Sequence, residues 1–138
     1  MLYEGTVQFV VTDDNGNDKT RKESVILSDC ETFTEAESKL YDEYDTNQGR
    51  NGLDITAIKR SRLKEIANSR DNEGDCIFIA DVCDTFTDDK GNEKENTYKI
   101  AFFSPSIDTA KNFIDQYLKQ GYDMKLKSLT ETKFVDVI

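Results

Sequence analysis

The densest basic segment of this acidic chain is Lys59-Arg60-Ser61-Arg62-Leu63-Lys64. In a β-strand, where successive side chains point to opposite faces, Arg60, Arg62 and Lys64 would share one face. Three cations in a row could hold an anionic ligand, because the planar guanidinium of arginine makes bidentate contacts with phosphate or carboxylate. The alternative is a solvated strand face whose charges are balanced by nearby acidic side chains. These three residues are our candidate ligand-binding site, and both interpretations stay open.

A second segment, Asp13-Asp14-Asn15-Gly16-Asn17-Asp18, has the composition of a calcium-binding loop. The EF-hand pattern requires Gly at its sixth position and Glu at its twelfth, and these positions hold Asp18 and Ser24 when counted from Asp13. A β-hairpin turn explains the same residues. We therefore predict no metal site and no cofactor.

Enzymatic chemistry has little support in the sequence. The chain contains no His, which excludes Ser–His and Cys–His nucleophilic mechanisms. It has no phosphate-binding Gly-rich loop, no nucleophile elbow and no Cys-x-x-Cys, and its 28 acidic residues show no spacing that singles out an acid–base pair. Cys30, Cys76 and Cys83 are unclustered and are interpreted as small hydrophobic residues in a reducing compartment. We predict that the protein is not an enzyme.

The net charge of −10 argues against nucleic-acid binding, since phosphate contacts need Lys and Arg. The N-terminal residues lack the charged and apolar regions of a signal peptide. No stretch approaches the roughly 20 apolar residues of a membrane span. We expect a cytoplasmic protein.

The elements that must position these residues occur twice. The segment 11–17 (VTDDNGN) matches the segment 86–92 (FTDDKGN) at five of seven positions. Each segment lies between alternating apolar runs, as in a β-hairpin. A helix start follows each hairpin, with Thr32 and Ser106 as N-caps and Glu35 at the capping-box position. A closing strand follows each helix, and Glu131 and Lys133 stand at the positions of Arg60 and Arg62.

The sequence thus predicts an α+β protein built by internal duplication of a ββαβ unit. We expect one domain over residues 1–138, with pseudo-repeats at about 1–67 and 75–138 and one shared, mostly antiparallel sheet carrying both helices on one face. A polar loop is predicted at residues 46–52, and Gly121 is predicted to end the second helix. The predicted strands are Tyr3–Val11, Thr20–Ser28, Asp54–Ile66, Cys76–Phe86, Glu95–Phe103 and Met124–Val137, and the predicted helices are Phe33–Tyr44 and Ile107–Gln120. The first helix has an apolar stripe of Phe33, Ala36, Leu40 and Tyr44.

Several short motifs resemble a known family. They are the run 33–37 (FTEAE), the basic segment from Ile58 with Glu65-Ile66 after it, and the C-terminal run 130–137 (TETKFVDV). The chain resembles an uncharacterised family of small proteins, a domain of unknown function from gut Bacteroidota and their phages. The resemblance implies a small cytosolic or phage-encoded protein, and it transfers no activity and no site residues.

The leading functional hypothesis is a non-enzymatic binding or assembly module that acts through a protein partner or through homo-oligomer contacts. Its basis is the lack of catalytic motifs together with a sheet that offers free edges and an uncovered face. The alternative is a protein that sequesters a small anionic ligand, such as a nucleotide signal, at Arg60, Arg62 and Lys64.

Overall fold

A computed structural model describes residues 1–45, 51–120 and 124–138. Within these residues the order of elements is ββαββ, repeated once. The elements are β1 (Tyr3–Thr12), β2 (Asp18–Leu27), α1 (Phe33–Asp45), β3 (Asn51–Arg60), β4 (Leu63–Ile66), β5 (Cys76–Thr87), β6 (Glu93–Ser104), α2 (Ile107–Leu118), β7 (Met124–Glu131) and β8 (Phe134–Val137). Residues 46–50 of the predicted loop and the predicted helix end at Gly121 lie outside the described residues, whereas Asn51 and Gly52 of the predicted loop belong to β3. The α+β class and the internal duplication are confirmed.

The two hairpin turns are built in the same way. The carboxylate of Asp13 accepts hydrogen bonds from the backbone N–H groups of Asn15 (2.9 Å) and Asn17 (2.8 Å). Asp88 makes the two corresponding bonds in the second hairpin, both at 2.9 Å. The glycine of each turn has φ near 80°, which a residue without Cβ adopts at little cost. The residues that resemble a calcium loop therefore serve to close a turn.

The two helices begin at the predicted caps. The hydroxyl of Thr32 accepts from the backbone N–H of Glu35 at 3.1 Å, and the Glu35 carboxylate accepts from the N–H of Glu31 at 2.8 Å. In the second repeat the hydroxyl of Ser106 accepts from the N–H of Thr109 at 3.2 Å. These bonds satisfy N–H groups that have no partner inside the helix.

The strands form two four-stranded sheets, so the predicted single shared sheet is wrong. Sheet 1 has the order β3-β1-β2-β8, and sheet 2 has the order β4-β6-β5-β7. In each sheet the three longer strands pair antiparallel and the short fourth strand pairs parallel. The registers correspond residue for residue: Val137 lies opposite Ile26 in sheet 1, and Ile66 lies opposite Ala101 in sheet 2.

The short strands are exchanged between the repeats. Strand β4 ends the first repeat but pairs with β6 of the second, and β8 ends the second repeat but pairs with β2 of the first. The predicted continuous strands therefore break at two-residue steps, after which the chain enters the other sheet. The residue that follows each short strand packs against the core of the sheet that the strand joins. Ile138 after β8 packs against the first core, and Ala67 after β4 packs against the second.

Two compact units result, one of residues 1–61 with 133–138 and one of residues 62–132. They are called the first unit and the second unit below. Each has its own core between one helix and one sheet, built on Tyr3, Val7 and Leu40 in the first unit and on Phe78 and Ile114 in the second. The prediction that the whole chain is one domain stays a prediction.

One residue of the predicted helix stripe lies outside the core. Ala36, Leu40 and Tyr44 are buried as predicted, whereas Phe33 is 51% exposed. Its ring contacts Tyr3 edge-on, with centroids 5.1 Å apart. Phe33 is the first residue of α1 and thus stands at the end of the stripe. In the described parts of the chain, neither helix is long and apolar enough to cross a membrane.

Candidate functional site

The three predicted site residues do not lie on one strand. Arg60 is the last residue of β3, Lys64 lies in β4, and Arg62 stands in the step between them. Arg60 belongs to the first unit and the other two belong to the second. The alternation that placed them on one face is therefore wrong, because it assumed an unbroken strand. Binding of an anion by these residues stays a prediction.

Lys64 has an intramolecular partner. Its ammonium group lies 3.9 Å from the centroid of the Tyr98 ring. The Tyr98 hydroxyl donates to a carboxylate oxygen of Asp84 at 2.6 Å, and this bond, followed by burial, raises the pKa of Tyr98 to about 12. A cation over an aromatic face is an attractive contact of about 0.5–1 kcal/mol at an exposed site. Lys64 is thus part of the packing of the second unit.

A basic cleft lies instead on the face of sheet 1 that is turned away from α1. Its main part has a volume of about 540 Å³ and is lined by residues of β1, β2 and β3 and by Lys133, which immediately precedes β8. An adjoining part of about 200 Å³ shares its central residues. The lining residues of the two parts are Glu4, Thr6, Lys22, Ser24, Thr56, Ala57, Lys59, Lys133 and Phe134. We call this surface the lysine cleft.

Hydroxyl groups form the floor of the lysine cleft. Thr6 and Ser24 face each other across β1 and β2, with their hydroxyl oxygens 3.0 Å apart. Only one of the two hydroxyls donates in that bond, so the hydrogen of the other is available to a ligand. Thr56 lies at an irregularity of the β1–β3 pairing and donates to the backbone oxygen of Thr6 at 3.3 Å.

Three lysines surround this floor, and they differ in their partners. Lys59 is 4.0 Å from the carboxylate of Glu4, with 73% of its side chain exposed. Lys22 and Lys133 have no carboxylate within 4 Å among the residues that the structure describes. A chain with 28 acidic and 18 basic residues thus has a cleft with three cations and one carboxylate. Such a surface attracts anions locally although the whole chain is acidic.

The strand exchange completes the lysine cleft. Lys133 precedes β8 and belongs to the second repeat in sequence, but it lies in the first unit because β8 pairs with β2. Its counterpart in the first repeat is Arg62, which lies in the second unit. The cleft therefore needs residues from both halves of the chain.

The corresponding positions of sheet 2 are occupied by an internal ion pair. Asp81, Lys99 and Ser128 stand where Thr6, Ser24 and Ala57 stand in sheet 1. Lys99 Nζ lies 2.7 Å from one oxygen of Asp81, and the Ser128 hydroxyl donates to the other at 2.7 Å. These two hydrogen bonds hold the pKa of Asp81 below its usual value. In the second unit the charges of Asp81 and Lys99 therefore neutralise each other at the positions of Thr6 and Ser24.

The cysteines do not form a reactive site. The thiol of Cys83 is buried and hydrogen-bonded to Glu95, and this bond raises its pKa. Burial raises the pKa of Cys30, and a hydrogen bond with Glu131 raises that of Cys76. The thiolate, which is the nucleophilic form, is therefore scarce at neutral pH. Over the described ranges 1–45, 51–120 and 124–138, no three His, Cys, Asp or Glu side chains are grouped as metal ligands.

Comparison with known proteins gives one result. The model of a domain of unknown function, DUF4494, matches residues 1–138. The chain belongs to the DUF4494 family. No curated protein and no solved structure matches it. The predicted membership of an uncharacterised family is confirmed.

Sequence reasoning missed most of the lysine cleft in this DUF4494 protein. Lys59 was part of the basic segment, but Lys22, Thr6 and Ser24 lie 53 to 35 positions before it and carry no motif. The alternation of polar residues in β1 and β2 could have placed Thr6 and Ser24 on the helix-free face. Lys133 could not be placed, because its position depends on a parallel pairing between distant segments.

Proposed function

We propose that this chain is a non-enzymatic binding module whose lysine cleft takes a small anionic ligand carrying a phosphate group, such as a nucleotide. The observation that carries the proposal is a cleft in an acidic chain where Lys22 and Lys133 have no acidic partner among the described residues and stand above a floor of hydroxyl groups. The volume of the main part, about 540 Å³, falls in the range of small-molecule sites.

The chemistry of the lining groups supports a phosphate-bearing ligand. Each lysine ammonium is a compact point charge with three donors, which suits phosphate oxygens that accept from several directions. A hydrogen bond to a charged group contributes about 1.5–3 kcal/mol. Lys22 and Lys133 together, with one hydroxyl donor, are therefore sufficient for a dissociation constant in the micromolar to millimolar range.

Thermal unfolding in the presence of pyrophosphate and of a set of mononucleotides tests the proposal. A ligand at 100 times its dissociation constant stabilises the folded state by about 2.7 kcal/mol. We expect the Lys22→Gln/Lys133→Gln double variant to lose this stabilisation. Lys19→Gln/Lys90→Gln, at exposed positions in and beside the two hairpin turns, changes the net charge equally and should retain it.

A second pair of variants separates the lysine cleft from the basic segment. If Arg60→Ala/Arg62→Ala abolishes the stabilisation and Lys22→Gln/Lys133→Gln does not, the ligand binds the basic segment and the cleft proposal is wrong. Absence of any shift with every anion tested also rejects ligand binding. Release of phosphate from a nucleotide during the same titrations would contradict the non-enzymatic part.

A protein partner is the other predicted mode of binding, and a separate surface supports it. The groove between α1 and β3 exposes Phe33 and Tyr41 beside the free edge of a sheet. The partner at this edge could equally be a second copy of the chain, which would make the protein a homo-oligomer. Analytical ultracentrifugation across a concentration series distinguishes self-association from a strict monomer.

We also propose that the chain originates from gut Bacteroidota or their phages and acts in the cytoplasm, of the host cell where it is phage-encoded. The support is the resemblance of the short motifs at 33–37, 58–66 and 130–137. The genomic neighbourhood of the coding sequence tests this origin. Neighbouring structural or replication genes of a phage would support it, and neighbours typical of an unrelated lineage would reject it.

A further inference from the structure

The groove between α1 and β3 has two borders of similar length. Phe33, Glu37 and Tyr41 of α1 form one border, and the β3 residues 54–58 form the other. From Phe33 to Tyr41 the helix advances by eight residue steps, or about 12 Å at 1.5 Å per step. From residue 54 to residue 58 the strand advances by four steps, or about 13 Å at 3.3 Å per step. The volume of the groove is about 410 Å³.

The backbone of β3 is available along this groove. β3 is the edge strand of sheet 1, and within the described residues it pairs with β1 alone. It is ten residues long, whereas edge strands that avoid pairing are commonly short or covered. An extended peptide can therefore add to the sheet by hydrogen-bonding to the free side of β3.

The helix border presents two aromatic rings with a carboxylate between them. Phe33 is 51% exposed and Tyr41 is 39% exposed, although both are large apolar side chains. The edge-on contact with Tyr3 holds the Phe33 ring in place. Glu37 lies one helical turn from each ring, and Asp54 lines the opposite border. Among the lining residues that the structure describes, the groove has two carboxylates and no cation.

The second unit does not repeat this stripe. Ile107, Lys111 and Asp115 occupy the corresponding positions of α2. Lys111 and Asp115 form an ion pair at 2.7 Å, so the charges on this face are neutralised within the helix. A side-chain pattern needed only for folding would be expected in both repeats. The aromatic–acidic–aromatic stripe is present in the first repeat alone, which favours a role in binding.

We propose that this groove binds an extended segment of a partner protein, paired with β3 as an added strand and carrying an apolar–x–basic–x–apolar pattern. Alternate residues of an added strand are about 6.6 Å apart on one face, and successive members of the helix stripe are about 6 Å apart. The two apolar side chains thus reach Phe33 and Tyr41, and the basic side chain reaches Glu37. Charge complementarity selects a basic segment over an acidic one.

Fluorescence anisotropy with a labelled nine-residue peptide tests the proposal on the full chain. The probe contains leucine, threonine, lysine, threonine and leucine in that order, flanked on each side by two threonines. We expect saturable binding that weakens at least ten-fold when the two leucines and the lysine are placed next to each other. N-methylation of alternate backbone nitrogens on the pairing side should abolish binding, because it removes the strand hydrogen bonds.

Variants of the groove complete the experiment. Phe33→Ser/Tyr41→Ser should weaken binding of the probe at least ten-fold, and Glu37→Gln should weaken it about three-fold or more. Ile107→Ser is the matched control, since Ile107 is also 51% exposed at the corresponding position of α2, and it should leave binding unchanged. Circular dichroism of each variant verifies folding, and Phe33→Leu, which keeps an apolar side chain, should retain most of the affinity.

Three outcomes would overturn the proposal. Equal binding of the ordered and the rearranged peptides would show that charge alone holds the probe. Undiminished binding of the N-methylated peptide would exclude strand addition. No binding up to 1 mM peptide, in a protein that instead self-associates through Phe33 and Tyr41, would assign the groove to a second copy of the chain.

Discussion

Gly5 shows at the scale of one residue how the repeats have diverged. A Cβ atom at Gly5 would lie 2.7 Å from Cδ1 of Leu40, closer than real contacts allow. The corresponding position in β5 is Ala80, and Ile114 of the second core stands at the position of Leu40. Leu40 thus occupies the space that a Cβ atom at position 5 would need, so the packing of the first core depends on glycine at this position.

We expect Gly5→Ala to lower the free energy of unfolding by about 1–3 kcal/mol, because the added methyl group must displace Leu40 in a packed core. Denaturant titration measures the change. Gly74→Ala is the matched control, since a Cβ there meets open space and the expected change is within about 0.5 kcal/mol. Combining Gly5→Ala with Leu40→Ile copies the second unit and should recover part of the loss. Equal stability of Gly5→Ala and the parent chain would contradict this account.

Tyrosine–carboxylate pairs link elements within the second unit. Tyr98 of β6 donates to Asp84 of β5, and Tyr117 of α2 donates to Glu65 of β4. Each bond is lost when the phenol ionises next to a carboxylate, and for this reason the pKa of both tyrosines is raised to about 12. β4 has only four residues, so a side-chain link to the helix matters for its attachment.

The raised pKa values predict a loss of stability in alkali. A group with a folded pKa above its unfolded value stabilises the fold fully below the unfolded pKa, and that stabilisation disappears as the pH rises through the folded pKa. For Tyr98 and Tyr117 the window is from about pH 10 to about pH 12. Urea unfolding at pH 9, 10 and 11 should show a weaker pH dependence for Tyr98→Phe/Tyr117→Phe than for the parent chain. Equal pH dependence of the double variant and the parent chain would contradict this account.

The exchange of β4 and β8 is the defining feature of the whole molecule. Each repeat contributes its last strand to the unit built mainly from the other repeat. The backbone N–H of Ser28 donates to the oxygen of Ile138 at 2.9 Å, and that of Ala67 donates to Ala101 at 2.8 Å. Neither unit has a complete sheet if one half of the chain is removed.

Removal of residues 133–138 should therefore destabilise the first unit selectively. We expect the backbone amide of Ser28 to lose at least ten-fold of its protection in hydrogen exchange, because its acceptor is gone and the side of β2 that pairs with β8 is exposed to water. The amide of Ala67 reports on the second unit in the same sample and should keep its protection. Equal loss at both amides would mean that the two units unfold together, and no loss at Ser28 would mean that β8 contributes little.

Local features were predictable because local rules govern them. The turns at Asp13 and Asp88 and the caps at Thr32 and Ser106 were read from short spacings, and the structure has them. Phe33 was predicted as part of the apolar stripe, but at the first residue of α1 it is 51% exposed. Of the basic segment, Lys59 lines the lysine cleft, whereas the three predicted site residues Arg60, Arg62 and Lys64 do not.

The sequence by itself determined the duplication, the class of fold and the order of hairpin, helix and closing strand within each repeat. Only the tertiary structure decided which sheet each closing strand joins. A period of two specifies which side chains share a face of a strand, but it carries no information about a parallel neighbour more than 30 residues away. That neighbour belongs to the other repeat. Its pairing with the closing strand therefore places Lys133 in the lysine cleft and assigns Arg60 and Arg62 to different units.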